Sequence, residues 1–215
     1  MAFSRAFSCV TSIGMFAALS VALVLWPIMT AAQTCFSASP SKNAGIPVTA
    51  HSDIRDLSDR EYQHLTNLFK AMEDHWSGTV QETVCRGSPD SVKKDVHDYT
   101  VEPEIEFTTS KTLELDATWH SKQKKTSRVE NLELILTKDR LRLDVDAASG
   151  DVKLIKVADN FLVFLDKNNI RNPSGGVVTQ EIVHSFALAS GSLTIEYKLY
   201  TNGLLVSFST WLLSR

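Results

Sequence analysis

From Tyr62 onward, apolar residues recur at three- and four-residue spacing. Tyr62, Leu65, Phe69, Met72 and Trp76 form one stripe in an otherwise polar run. Such a stripe is the buried face of an amphipathic helix. Its start is marked by Ser58-Asp59-Arg60-Glu61, a capping-box pattern in which the Ser oxygen and the Glu carboxylate each satisfy a free amide. Leu57 and Tyr62 occupy the flanking staple positions. The pattern predicts a helix ending near His75, because Ser77-Gly78 and the β-prone "TVQETV" extend it poorly.

After Gly78 the period shortens to two. Leu113, Leu115, Ala117 and Trp119 share one face; Leu141, Leu143 and Val145 share another; Leu193, Ile195, Tyr197 and Leu199 a third, while Thr194, Glu196 and Lys198 point the opposite way. One wet and one dry face per strand is antiparallel-sheet behaviour. Turn signals separate the runs: a polar break at 87–91, Thr108-Thr109-Ser110, Lys138-Asp139, Asp159-Asn160, Ser190-Gly191 and Asn202-Gly203. Asn-Gly is a strong two-residue hairpin signal because both positions tolerate positive φ. About ten strands joined in sequence by short turns are best satisfied by a sheet that curls onto itself and removes its edges. The expected fold is therefore mainly β, an antiparallel up-and-down β-barrel of about ten strands with one N-terminal amphipathic α-helix, spanning 54–215. The stretch "KNNIRNPSGG" at 167–176 is expected to be a loop over one barrel mouth.

The N-terminal segment follows a different grammar. Arg5 precedes the apolar run "IGMFAALSVALVLWPIM" and then "TAAQT", the order of a secretory signal peptide over 1–32 with cleavage after Ala32. The alternative is an uncleaved anchor: Ile13 to Met29 is 17 residues, at the lower edge of the roughly 17–25 that span a bilayer. No later segment is apolar for long enough to cross. Residues 33–53, rich in Ser, Pro, Ala, Asn, Gly and Lys, read as a flexible linker. The expected location is outside the cytoplasm, periplasmic or secreted.

Loss of residues 1–32 removes Arg5 and leaves 21 Lys+Arg against 25 Asp+Glu, a net charge of −4. That balance lacks the basic stripe a nucleic-acid partner requires. The one basic cluster, "SKQKKTSR" at 121–128, reads as a solvated hairpin tip. After cleavage Cys35 and Cys85 remain as an even pair in an oxidising compartment, where a disulfide is the first reading. Two free thiols, or lipidation of Cys35, are the alternatives.

The capped helix, the Trp76-Ser77-Gly78 that leads into the first strand, and the meander that follows resemble the calycin superfamily, the lipocalin-like β-barrels and their small bacterial exported relatives. In that group a Trp near the start of the first strand closes one barrel end. The resemblance covers roughly 54–215, without a Gly-x-Trp and without a later Thr-Asp-Tyr motif. It implies an internal cavity able to hold a small hydrophobic molecule, since a barrel of this size can enclose one ligand. By alternation Leu115, Trp119, Leu143, Phe164, Phe186, Tyr197 and Phe208 are candidates to line it. The competing reading is that the same residues fill the barrel as core.

Other chemistry is sparse. The six histidines show no His-x-x-x-His spacing, there is no Cys-x-x-Cys, and no metal site or cofactor is expected. His184, in "EIVHSF" on the face of Ile182 and Phe186, is the one histidine added to the ligand-binding candidates. No Gly-x-Ser-x-Gly elbow or phosphate-cradling loop appears, and catalytic residues are not assigned. The expected function is an exported binding protein holding an apolar ligand inside the barrel. The alternative is an envelope interaction or assembly module that uses the barrel as a scaffold without a ligand.

Overall fold

A computed structural model describes residues 34–43, 54–145, 148–171 and 175–215. The expected signal peptide and the second half of the expected linker lie outside the described residues. A one-turn α1 (Pro40–Asn43) is followed by the main helix α2 (Asp59–Met72). The strands are β1 (Asp74–His75), β2 (Ser77–Ser88), β3 (Ser91–Phe107), β4 (Thr112–Ser121), β5 (Ser127–Leu136) and β6 (Leu141–Val145). They continue as β7 (Ala148–Asp151), β8 (Lys153–Ala158), β9 (Phe161–Arg171), β10 (Val177–Ala189), β11 (Ser192–Thr201) and β12 (Leu204–Ser214).

Every ladder is antiparallel, and the order is β7-β6-β5-β4-β3-β2-β12-β11-β10-β9-β8, with the short β1 attached to β3. The first long strand pairs with the last, Gly78 opposite Leu213 and Val84 opposite Ser207. This is the predicted meander, nearly closed. The ends of the path, β7 and β8, are the two halves of one run that breaks at the buried Val152. The upper half pairs with β6 and the lower half with β9, so this strand changes partner midway. That switch makes eleven strands along the sheet path where about ten were expected.

The helix sits across one mouth. Its capping box is present: Ser58 Oγ accepts from the Glu61 amide, and the Glu61 carboxylate accepts from the Ser58 amide. Arg55 pairs with the same carboxylate and, with the Ser58 bonds, lowers the Glu61 pKa to about 2. Leu65, Leu68, Phe69 and Met72 are fully buried, and Phe69 meets Phe107 edge-on at 5.6 Å. Three barrel turns hold the outer side of the helix region. The Leu57 amide donates to Asp139, His64 Nδ1 lies 2.7 Å from Asp159, and Arg215 beside the Ser190-Gly191 turn donates to the Ala71 carbonyl.

The helix ends at Met72, three residues before the expected His75. Trp76 joins the stripe from outside it: the chain leaves the helix at Glu73, and the Trp76 indole N–H turns back to the Met72 carbonyl at 2.9 Å. That bond satisfies one of the free carbonyls at the helix end. His75 is exposed and lies 3.4 Å from Glu104.

Gly78 has a packing reason. A Cβ there would stand 2.0 Å from the Leu212 carbonyl oxygen of β12. Gly78→Ala therefore forces β2 and β12 apart at the seam that closes the barrel. The expected loss is about 1–3 kcal/mol, read as a lower urea midpoint with an unchanged slope; a midpoint within error of wild type would show that the two strands yield without cost.

Two expectations fail in the described residues. Residues 34–39 are not linker. Cys35 is bonded to Cys85, Phe36 and Ser39 donate to the Leu205 and Gly203 carbonyls, and Ala38 bridges Leu204. A covalent tie and edge hydrogen bonds offset the ordering entropy that its composition alone cannot. Nor are residues 167–171 part of a loop over a mouth, because β9 runs to Arg171. The polar "KNN" pairs with Thr179–Glu181, and Asn169 accepts from the Thr179 hydroxyl.

Candidate functional site

The barrel interior divides into two halves. The helix-covered half is solid: Leu113, Leu115, Leu134, Leu162, Phe186, Leu193 and Ile195 are fully or almost fully buried and pack onto Leu65, Phe69 and Met72. Above them lies a layer of rings. Trp119 and Trp211 meet edge-on at 4.8 Å, Trp211 and Tyr197 at 5.7 Å, and Tyr197 and His184 at 5.0 Å. Phe164 stacks on His184 at 4.5 Å, with the rings 10° from parallel. Edge-to-face and offset pairs of this kind are favourable beyond the area they bury.

Beyond the rings the barrel is open, with a cavity of about 770 Å³. That lies within the roughly 300–1,000 Å³ of small-molecule sites. Leu132, Leu143, Val145, Ile182 and Leu199 give it apolar walls, and Trp119, Tyr197 and His184 border its inner end. Among them stand Glu82, Arg128, Glu130, Asp166, Asn168 and Gln180. Arg128 holds its guanidinium 3.7 Å from the Trp119 ring centre and 3.5 Å from a Glu82 carboxylate oxygen.

The wall has a gap beside the cavity. The β8–β9 ladder starts at Lys153 opposite Leu165, and β7 pairs only with β6. Asp166–Arg171 of β9 are therefore paired on the β10 side alone among the described residues. Gly150 on one bank and Asp166, Asn168 and Ile170 on the other all line the cavity. Lower down, the corresponding seam is packed by α2 against β8 and β5.

The inner end carries polar atoms without partners. Trp119 Nε1, Trp211 Nε1, Tyr197 Oη and both ring nitrogens of His184 are buried with no hydrogen bond. Burial alone lowers the His184 pKa to about 3, so the ring is neutral at neutral pH. Burial, then the charge of Glu130, holds the Tyr197 phenol well above its ordinary value. In Asp166 burial outweighs the hydrogen bonds from the Lys167 amide and the Asn168 side chain, and the carboxyl titrates above the usual range.

Of the residues expected from alternation, Trp119, Leu143 and Tyr197 line the cavity from the inward face, as does the separately chosen His184. Leu115 and Phe186 lie instead in the solid half and Phe164 in the layer of rings, all three fully or almost fully buried. Phe208 borders the cavity but has the opposite strand phase from Ser209 and Trp211. It packs against Leu165, Val183, Tyr200 and Leu205, a second cluster. β12 carries apolar residues in both phases, so alternation alone gives no direction there. The polar lining was missed because carboxylates on strands were read as solvated faces. Arg128 ends the basic run at 121–128, yet it turns onto Trp119 while Lys122, Lys124 and Lys125 stay in solvent. Cys35 and Cys85 form the expected disulfide, with Cα atoms 5.6 Å apart.

Among the described residues no three His, Cys, Asp or Glu side chains cluster as metal ligands. No described helix is long and apolar enough to cross a membrane.

No protein-family model matches the chain, and no curated protein matches it. Among solved structures, the chain is similar to a protein of unknown function from the DUF3598 family of Nostoc punctiforme. The identity is 14% and the TM-score 0.45, over 68% of this chain and 48% of that one. This chain thus matches about half the length of that protein.

Proposed function

We propose that this protein is an exported, lipocalin-like barrel that binds a small molecule with an apolar body in the open half of its interior. The observation that carries the proposal is the set of unpartnered polar ring atoms, on Trp119, Tyr197 and His184, at the inner end of the cavity. An unsatisfied buried donor or acceptor costs about 1–3 kcal/mol, so a barrel serving only as a scaffold would be more stable with Leu or Phe in their place. A bound ligand supplies the missing partners, and the Leu132, Leu143, Ile182 and Leu199 walls bury its apolar part.

The kinship to lipocalin-like barrels is supported by the Trp76-Ser77-Gly78 junction, which joins the helix to the first barrel strand, and by the up-and-down strand order. Export is supported by the Cys35–Cys85 disulfide, a bond that persists in oxidising compartments. A scaffold role draws less support, because the apolar face of α2 is already spent on the barrel.

The test is native mass spectrometry of the protein purified from its own source and of the protein exposed to a metabolite and lipid extract. A reproducible adduct that His184→Phe abolishes is the expected result. A clean ligand-free mass under saturating extract would remove the reading.

A further inference from the structure

Resting on that ligand-binding reading, we infer that the cavity is built for a cationic ligand, an amine on an aromatic or alicyclic body, and against carboxylates. The charged side chains that line it are Glu82, Glu130 and Asp166 on one side of the balance and Arg128 on the other. Arg128, the one cation among the described lining residues, is already engaged: its guanidinium lies 3.7 Å from the Trp119 ring centre, and Glu82 stands 3.5 Å from it. Asp166 has the Asn168 amide, 2.8 Å away, as its side-chain partner, and no Lys or Arg among the described residues pairs with it. It stands on the part of β9 that is paired on the β10 side alone among the described residues, and it lines the cavity together with Gly150 of β7. A half-buried carboxylate short of hydrogen bonds gains from a charge-assisted one.

The inner end agrees with this polarity. Burial first, and then the charge of Glu130, holds the Tyr197 phenol above its ordinary value, so a carboxylate is the charged group that acts on this donor. His184 is held neutral by burial and offers an anion no charge. A ligand carboxylate would lose its hydration and meet like charge, while the Arg128 guanidinium is already matched by Glu82, a combination that buried anions do not tolerate without pairing. An aromatic body fits the edge-to-face arrangement of Trp119, Trp211 and Tyr197, with its acceptor atoms toward the free indole and phenol donors. The ammonium then lies toward Asp166 and the other carboxylates at the wider end.

The experiment uses three probes of one shape and different charge: 2-naphthylmethylammonium, 2-naphthalenemethanol and 2-naphthoate. Each is titrated calorimetrically into the disulfide-bonded protein and into its Asp166→Asn variant. The amine should bind at least tenfold more tightly than the alcohol, with the naphthoate weakest. Asp166→Asn should bring the amine down to the affinity of the alcohol, and a circular-dichroism spectrum and thermal midpoint matching those of the wild type show that the variant is folded. Naphthoate binding as tightly as the amine, or a variant that weakens all three equally, overturns the charge assignment and leaves a ligand site standing. No binding of any of the three, with no adduct in native mass spectrometry, removes the ligand-binding reading and this inference with it.

Discussion

His184→Phe should leave the protein at least as stable as wild type near pH 7.5 and clearly more stable at pH 5. The wild-type ring is neutral in the folded state down to a pKa of about 3, whereas its ordinary value is 6.5. Between those two values the unfolded chain takes up the proton that the folded chain refuses. Stability is therefore complete above about pH 6.5 and declines as the pH falls toward 3. With 1.36 kcal/mol per pKa unit, His184 alone removes about 2 kcal/mol by pH 5 and at most about 5 kcal/mol near pH 3. Phenylalanine has no proton to take up, keeps the stack on Phe164 and leaves no unpartnered nitrogen. Other titrating groups act in both proteins and cancel in the difference. Urea midpoints at half-unit pH intervals from 7.5 to 4.5 provide the measurement. Two profiles that run parallel would mean that His184 is protonated in the fold or reaches solvent.

Removing the disulfide is the second large perturbation. Cys35 and Cys85 are 50 residues apart in sequence, and closing a loop of that length is worth about 4 kcal/mol in the chain-entropy model, with measured losses commonly about 2–5 kcal/mol. Cys35→Ala/Cys85→Ala should lower the thermal midpoint by roughly 5–15 °C. The loss has a structural side as well, because the bond holds Phe36–Ser39 along the Gly203–Leu205 end of β12, next to the buried Thr83. Protease cleavage confined to the first residues of the variant would locate that damage. A midpoint shift under about 2 °C would mean that the edge hydrogen bonds secure the segment by themselves.

The fold was legible because its punctuation is local. Thr108-Thr109-Ser110, Lys138-Asp139, Asp159-Asn160, Ser190-Gly191 and Asn202-Gly203 all fall in the gaps between successive strands, each written by residues that tolerate turn geometry. The capping box is equally local, and it is formed as the sequence pattern predicts. What failed depends on partners far away. Val152 breaks one run into two because β6 and β9 compete for it, and "KNN" at 167–169 becomes strand because β10 pairs with it. Glu82, Arg128 and Asp166 turn inward against the usual sorting of charge, and a rule that places polar residues outside discards them before a site can be seen. His184 was legible only as a polar residue in an apolar phase; its missing partners are a property of the packed layer of rings.

The pairing of β2 with β12 places a constraint on the order of assembly. Ser207 bonds to the Thr83 carbonyl across 124 residues of chain. Trp211, which completes the layer of rings beneath the cavity, is carried on that late strand. Contacts between such distant residues form slowly, because the entropy of closing the loop must be met before any of them is gained. A chain that has formed only its local hairpins is therefore an open meander, with Trp119, Tyr197 and His184 uncovered until β12 arrives. The layer of rings is then completed in a single late step together with closure, and a chain truncated before Leu204 should form its hairpins yet leave Trp119 open to solvent.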